Sequence, residues 1–242
     1  MKKLFYGGLS IILLLLIWQL SSFSLANQYI LPGPIQVFSS FLQLLLKTST
    51  YSVILLTLLR LSVALITSSI IAIILGIIAG NYKSFEYFLK PIVSSLRTLP
   101  VASVIIIIII LIGNDFSLYL ITFLMIFPLV YEAAKDGIIN ISNDLKDSIA
   151  LEGHHPLVIM TKVQLPLALP FIKTAIFQSL GLGFKVIVMA EFIIQSTKGI
   201  GNELYKGSIS INYHLVFAWT LIIILLVMIM EFLIKKLKKL IK

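Results

Sequence analysis

Between Val53 and Gly80 the chain carries a single charge, Arg60, in a run dominated by leucine, isoleucine, valine and alanine. A helix rises about 1.5 Å per residue, so this run is long enough to cross the roughly 30 Å of hydrocarbon in a bilayer. It is far too long for a barrel strand of about 9–11 residues. In lipid an isolated extended segment leaves its backbone unsatisfied, so the run must be helical. That one segment commits the chain to an α-helical membrane architecture.

Composition agrees. Hydrophobic side chains make up 59% and charged ones only 12% of the 242 residues, against about 45–50% and about 25% in an ordinary soluble domain. Five further stretches are apolar enough to span: Leu9–Leu25, Ile92–Ile112, Phe116–Ala134, Phe171–Ile194 and His214–Ile234. The expected fold is all-α, a polytopic bundle of about six transmembrane helices forming one domain over residues 1–242. The β-branched run from Val104 to Ile110 would suit a buried strand in water, but lipid makes it helix.

The formal charge of +9 would suggest nucleic acid in a soluble protein. Here the lysines sit at segment ends, where they set membrane orientation instead, so no nucleic-acid partner is expected. Lys2 and Lys3 precede the first span, and Lys235, Lys236, Lys238, Lys239 and Lys242 follow the last. An even span count puts both termini on the cytoplasmic side of a cell membrane. The loop at 81–90 and the segment 135–169 then also face inward. Residues 26–52, the turn at 113–115 and residues 195–213 face outward. Lys2 and Lys3 with Ser24-Leu25-Ala26 also fit a cleavable signal peptide. Retention is expected, because Trp18 and Phe23 suit an interface.

Outside the first span, Pro34 can open a helix with Ile35, Phe38, Phe41, Leu42 and Leu45 at helical spacing. Its apolar face would lie either on the membrane interface or against the bundle. Glycines pair on the second span (Gly76, Gly80) and the fifth (Gly181, Gly183), where small residues let helices approach closely.

One polar stretch interrupts this pattern. Residues 144–151 can form a short helix, Gly153 a turn, and Pro156 the start of a second helix. Leu157, Met160 and Val163 would give that helix an apolar strip, while Thr161, Lys162 and Gln164 keep it wettable. Pro166 should stop it and Pro170 start the next span. The product is a helix–turn–helix along the cytoplasmic surface, a rigid lever for force from a cytoplasmic partner.

At these residues the chain resembles the permeases of binding-protein-dependent ABC importers. Gly153 followed by Pro166 in "VQLPLALP" looks like their coupling signature, with Asp147-Ser148-Ile149 where the family has Glu-Ala-Ala. The literal Glu132-Ala133-Ala134 is a decoy, since Gly137 follows too soon and no Leu-Pro lies at the right distance. "LPGPIQV", "LKPIVSSLRTLPVAS", "FKVIVMAEFI" and "KGIGNELY" are similar to segments of nitrate, sulfonate and taurine permeases, in the same order. The resemblance implies a permease subunit that pairs as a homodimer. Two cytoplasmic ATPase subunits would bind the coupling segment, about 144–170, through Asp147, Gly153, His154, His155, Pro156, Lys162 and Pro166. An extracytoplasmic solute-binding protein would deliver a small solute, an anion such as nitrate, sulfonate or taurine. Some family members carry thiamine-precursor pyrimidines instead.

Ionisable groups at bilayer depth cost about 2.5–3.5 kcal/mol each on insertion scales, so they face a bundle interior or water. Arg60, Lys185 and Glu191 are such groups. Lys185, alone or with Arg60, would give a translocation path a positive field. Alternatively, Arg60 or Lys185 pairs structurally with Glu191. Lys185 and Glu191 lie about 120° apart around a helix, so they do not share a face.

Other chemistry finds little support. The chain has no cysteine, hence no disulfide or thiolate site. His154 and His155 are adjacent and point about 100° apart, which is wrong for a metal pair. No Gly-rich loop with a lysine and a serine or threonine is present, so ATP hydrolysis is expected on another chain and no cofactor on this one. An intramembrane enzyme would need a polar constellation on facing helices, and an ion-coupled transporter more spans with inverted repeats.

Overall fold

The structure, a computed structural model, describes residues 2–25, 31–113, 115–142, 145 and 155–240. Its elements are helices α1 (Lys2–Leu25), α2 (Pro34–Leu46), α3 (Thr48–Asn81), α4 (Lys83–Thr98), α5 (Val101–Ile112), α6 (Phe116–Ile139) and α7 (Pro156–Ile159). A π-helical turn (Met160–Gln164) then leads into α8 (Leu165–Ile194), followed by α9 (Ile200–Ile209) and α10 (Tyr213–Leu240). No strand occurs among the described residues, as the length of the apolar runs dictates. The chain forms two compact units, Met1–Leu56 with Gln195–Lys242, and Thr57–Ile194.

Among the described residues four helices are long and apolar enough to cross a membrane, Thr48–Asn81, Phe116–Ile139, Met160–Ile194 and Tyr213–Lys236, and the bent pair Lys83–Thr98 with Val101–Ile112 makes a fifth if it counts as one span. The apolar part of α1, Gly8–Ser24, is shorter. The expected span Ile92–Ile112 is not one helix. It breaks at Leu99–Pro100, and α4 and α5 meet at 105°. The cause is local. Pro100 disfavours helical backbone at Leu99, which adopts ψ 132°, and Pro100 then caps a fresh helix. Residues 83–98 also carry Lys83, Glu86, Lys90 and Arg97, so α4 is amphipathic where a span would be apolar throughout. Gly113 ends α5 at φ 68°, the left-handed conformation that glycine adopts without strain.

The unit 57–194 is organised around α6 and α8, which pack along their length. Val104, Ile105 and Ile108 of α5, Leu118, Ile121 and Met125 of α6, and Val186 and Ala190 of α8 form one buried cluster. A second joins Ile77, Ala134, Ile138, Ile141, Ala168 and Ile172. Close approach depends on glycine. A Cβ built on Gly76 would lie 2.6 Å from the Tyr131 carbonyl oxygen, and one on Gly80 2.6 Å from Ile138 Cβ. On α8 a Cβ at Gly183 would press to 2.8 Å against Leu61 and Ile126, whereas Gly181 has nothing within 4 Å. The two glycines of the fifth span therefore differ: one is a contact, the other faces open space.

In the other unit α2 packs on α10 and α1. Pro34 occupies the first turn of α2, where its missing N–H leaves nothing unsatisfied. The buried residues are Val37, Ser40 and Leu44, while Ile35, Phe38 and Leu42 are exposed. The face read as apolar from sequence is thus turned away from its own bundle. Trp18 stacks on Phe217 with ring centroids 5.6 Å apart and donates its indole N–H to the Pro32 carbonyl at 3.1 Å.

Candidate functional site

The coupling segment is described from His155 onward; Asp147, Gly153 and His154 lie outside the described residues. His155 is exposed and Pro156 opens α7. Thr161 and Lys162 are exposed, but Gln164 is buried at 8% exposure, contrary to its expected place on the wettable face. Gln164 Nε2 donates to Asn81 Oδ1 at 2.7 Å, and Asn81 Nδ2 donates to Gln164 Oε1 at 2.8 Å. This reciprocal amide pair ties the coupling segment to the last turn of α3.

Pro166 does not end the helix, and Pro170 lies inside α8 rather than at its start. The structure shows how the chain tolerates them. The Leu165 N–H reaches back to the Met160 carbonyl, five residues instead of four, so the turn widens just before Pro166. A proline ring ordinarily collides with the carbonyl four residues earlier; a π turn is one recognised way around that collision.

The intramembrane charges divide. Arg60 is 4% exposed and Glu191 fully buried. Arg60 Nη1 donates to Glu191 Oε1 at 2.9 Å, and Nη2 to Asp115 Oδ2 at 3.2 Å. Thr57 Oγ1 donates to the same Glu191 carboxylate at 2.9 Å. The cluster holds one cation and two carboxylates, a formal charge of −1, and joins α3, the start of α6 and the end of α8. Thr57 and Asp115 are members that sequence reading missed: nothing local marks a threonine as the partner of a residue 134 positions away.

Lys185 is elsewhere. It is exposed and belongs to a stripe on α8 formed by Phe171, Thr174, Gln178, Leu182, Lys185, Met189 and Phe192, all exposed and all at helical spacing. Beside the stripe, a cleft of about 530 Å³ opens between α6 and α8, lined on its polar side by Glu132, Asp136, Asn140, Thr174 and Gln178. Glu132 also accepts a hydrogen bond from Arg97 of α4. The described residues hold no group of three or more His, Asp or Glu able to bind a metal.

The geometry is that of a membrane bundle with a charged clasp at one end, an amide clasp at the other and, between them, a helix whose exposed stripe mixes apolar residues with Thr174, Gln178 and Lys185. Residues 72–242 match the family described as the binding-protein-dependent transport system inner membrane component. The putative aliphatic sulfonates transport permease protein SsuC of Bacillus subtilis is 28% identical over 191 residues, covering 76% of this chain and 67% of that one. The taurine transport system permease protein TauC of Escherichia coli is 26% identical over 200 residues, 80% of this chain and 72% of that one. The fold is similar to the inward-facing MetNI methionine ABC transporter, with a TM-score of 0.65, 14% identity and coverage of 81% of this chain and 100% of that one. With the family match covering well over half its length, the chain belongs to the binding-protein-dependent transport system inner membrane components, the permeases of ABC transporters.

Proposed function

We propose that this permease carries a small anion inward, as one half of a homodimer driven by separate cytoplasmic ATPase subunits and supplied by an extracytoplasmic binding protein. The observation that carries the reading is Lys185. A lysine exposed on the middle of an apolar helix costs about 2.5–3.5 kcal/mol if it faces lipid. The stripe that holds it also offers Thr174 and Gln178, so it suits a water-filled path better than hydrocarbon. Arg60 contributes no positive field of its own, because its charge is more than balanced by Glu191 and Asp115. Relatives named for aliphatic sulfonates and for taurine, which also carries a sulfonate, support a solute bearing an anionic group.

Transport measured in reconstituted vesicles tests this. Lys185→Met should leave the assembled complex intact and lower uptake of an alkanesulfonate by at least about tenfold, equivalent to about 1.4 kcal/mol. Lys185→Arg should retain most uptake. Unchanged uptake in Lys185→Met overturns the assignment, as does a complex that no longer assembles.

The ATPase would engage the segment 144–170, whose described part exposes His155, Thr161 and Lys162. The absence of cysteine makes a single introduced thiol unique. Lys162→Cys should crosslink to a co-expressed ATPase subunit, whereas Phe23→Cys on α1 should not. Equal labelling at both positions would remove the coupling role from this segment.

A further inference from the structure

Tyr131, on α6, is 2% exposed, and its hydroxyl is buried with no hydrogen-bond partner among the described residues. Leaving a buried polar group unsatisfied costs about 1–3 kcal/mol, and a phenylalanine would pack the same space without that cost. The hydroxyl therefore asks for a partner that the described residues do not supply. Tyr131 lines a cavity of about 440 Å³ between α4 and α6, and the other walls of that cavity are unusually charged.

Lys90, Arg97 and Lys135 bring three cations, Glu86 and Glu132 two carboxylates. The carboxylates are already engaged: Lys135 Nζ lies 3.1 Å from Glu86 Oε1, and Arg97 pairs with Glu132. Lys90 has no ion-pair or hydrogen-bond partner among the described residues. Lys135 also lies 3.8 Å from Asp136 Oδ1, so what the cavity offers a ligand is the Lys90 ammonium, without a close counterion among the described residues, and one buried donor hydroxyl. Both complement an oxyanion: the ammonium supplies charge, and the phenol a directed O–H.

We propose that the α4–α6 cavity is a binding site for a single oxyanion group, a phosphate or sulfonate, held by Lys90 and the Tyr131 hydroxyl, with Arg97 and Lys135 at its margin. The site is separate from the α8 stripe and does not depend on the transported solute being an anion. The anion has two possible sources, a phospholipid headgroup or a free small molecule. The surroundings suit the first: α4 exposes Tyr87, Phe88 and Ile92 next to the cavity, aromatic and aliphatic groups of the kind that settle at a membrane interface.

The test uses the purified full-length chain. Thermal unfolding is followed in neutral detergent with inorganic phosphate or ethanesulfonate, against sodium chloride at equal ionic strength. In parallel, it is followed in nanodiscs of phosphatidylcholine with and without phosphatidylglycerol. A midpoint raised by the free anions identifies a soluble ligand, and one raised only by phosphatidylglycerol identifies a headgroup; either supports the site. Lys90→Met and Tyr131→Phe should each weaken the effective probe about tenfold or more. Tyr131→Phe keeps the ring that stacks on Phe127 at 5.8 Å, so its unliganded stability should equal or exceed that of the parent. The proposal fails if no probe stabilises beyond chloride, or if both variants respond like the parent. It also fails if Tyr131→Phe is destabilised without ligand, which would give the hydroxyl a role in the fold instead.

Discussion

Glu191→Gln is expected to destabilise the protein by about 1–3 kcal/mol, the usual cost of taking a hydrogen-bonding partner away from a buried group. Arg60 would keep its charge at 4% exposure with the half-exposed Asp115 beside it. Thr57 would lose the carboxylate its hydroxyl donates to. Denaturant titration of the purified chain in detergent measures the change. The double variant Arg60→Met/Glu191→Leu removes both charges and should recover most of the loss, since apolar residues of similar volume replace buried pairs at little cost. A double variant as unstable as the single one would show that the pair is not what holds these helices.

The second large effect concerns space. Gly76→Ala should destabilise by about 1–3 kcal/mol or more, because overpacking forces backbone to move. The new Cβ would meet the Tyr131 carbonyl oxygen at 2.6 Å and Ala134 Cβ at 2.7 Å, so α3 and α6 must separate. Gly181→Ala is the matched control, with nothing within 4 Å, and should be neutral or stabilising by up to about 1 kcal/mol through helix propensity. Equal effects in the same denaturant assay would contradict the packing described.

Much of the fold was legible because bilayer thickness leaves few choices. Val53–Gly80, Phe116–Ala134 and His214–Ile234 needed only length and apolarity to be recognised, and the structure extends each by a turn or two. The break at Pro100 was hidden by the apolar runs on either side, although Arg97 within the same stretch was a local warning. Pro166 misled for the opposite reason. The rule that proline ends a helix is sound for a regular turn, and nothing in the sequence advertises the wider turn from Met160 to Gln164.

The candidate site was legible as residues and not as partners. Arg60 and Glu191 stood out because charge is rare in an apolar run. Their pairing spans 131 positions, and distance along the chain gave no reason to prefer it to a bond between Lys185 and Glu191. Tyr131 and Asn81 gave no signal at all. An aromatic in a membrane helix and an asparagine at a helix end are both ordinary, and only three-dimensional placement makes one unsatisfied and the other half of a clasp.

The helical path that begins at Pro156 and runs unbroken to Ile194 contains two missing rungs, the hydrogen bonds that Pro166 and Pro170 would otherwise give to the carbonyls of Lys162 and Pro166. Four residues apart, the gaps lie on one side of the cylinder, and both prolines are exposed. Its flexural stiffness is therefore anisotropic: soft in the plane through that weakened seam, firm at right angles to it and in compression along the axis. Displacement entering at the His155 end would emerge as a swing confined to a single plane.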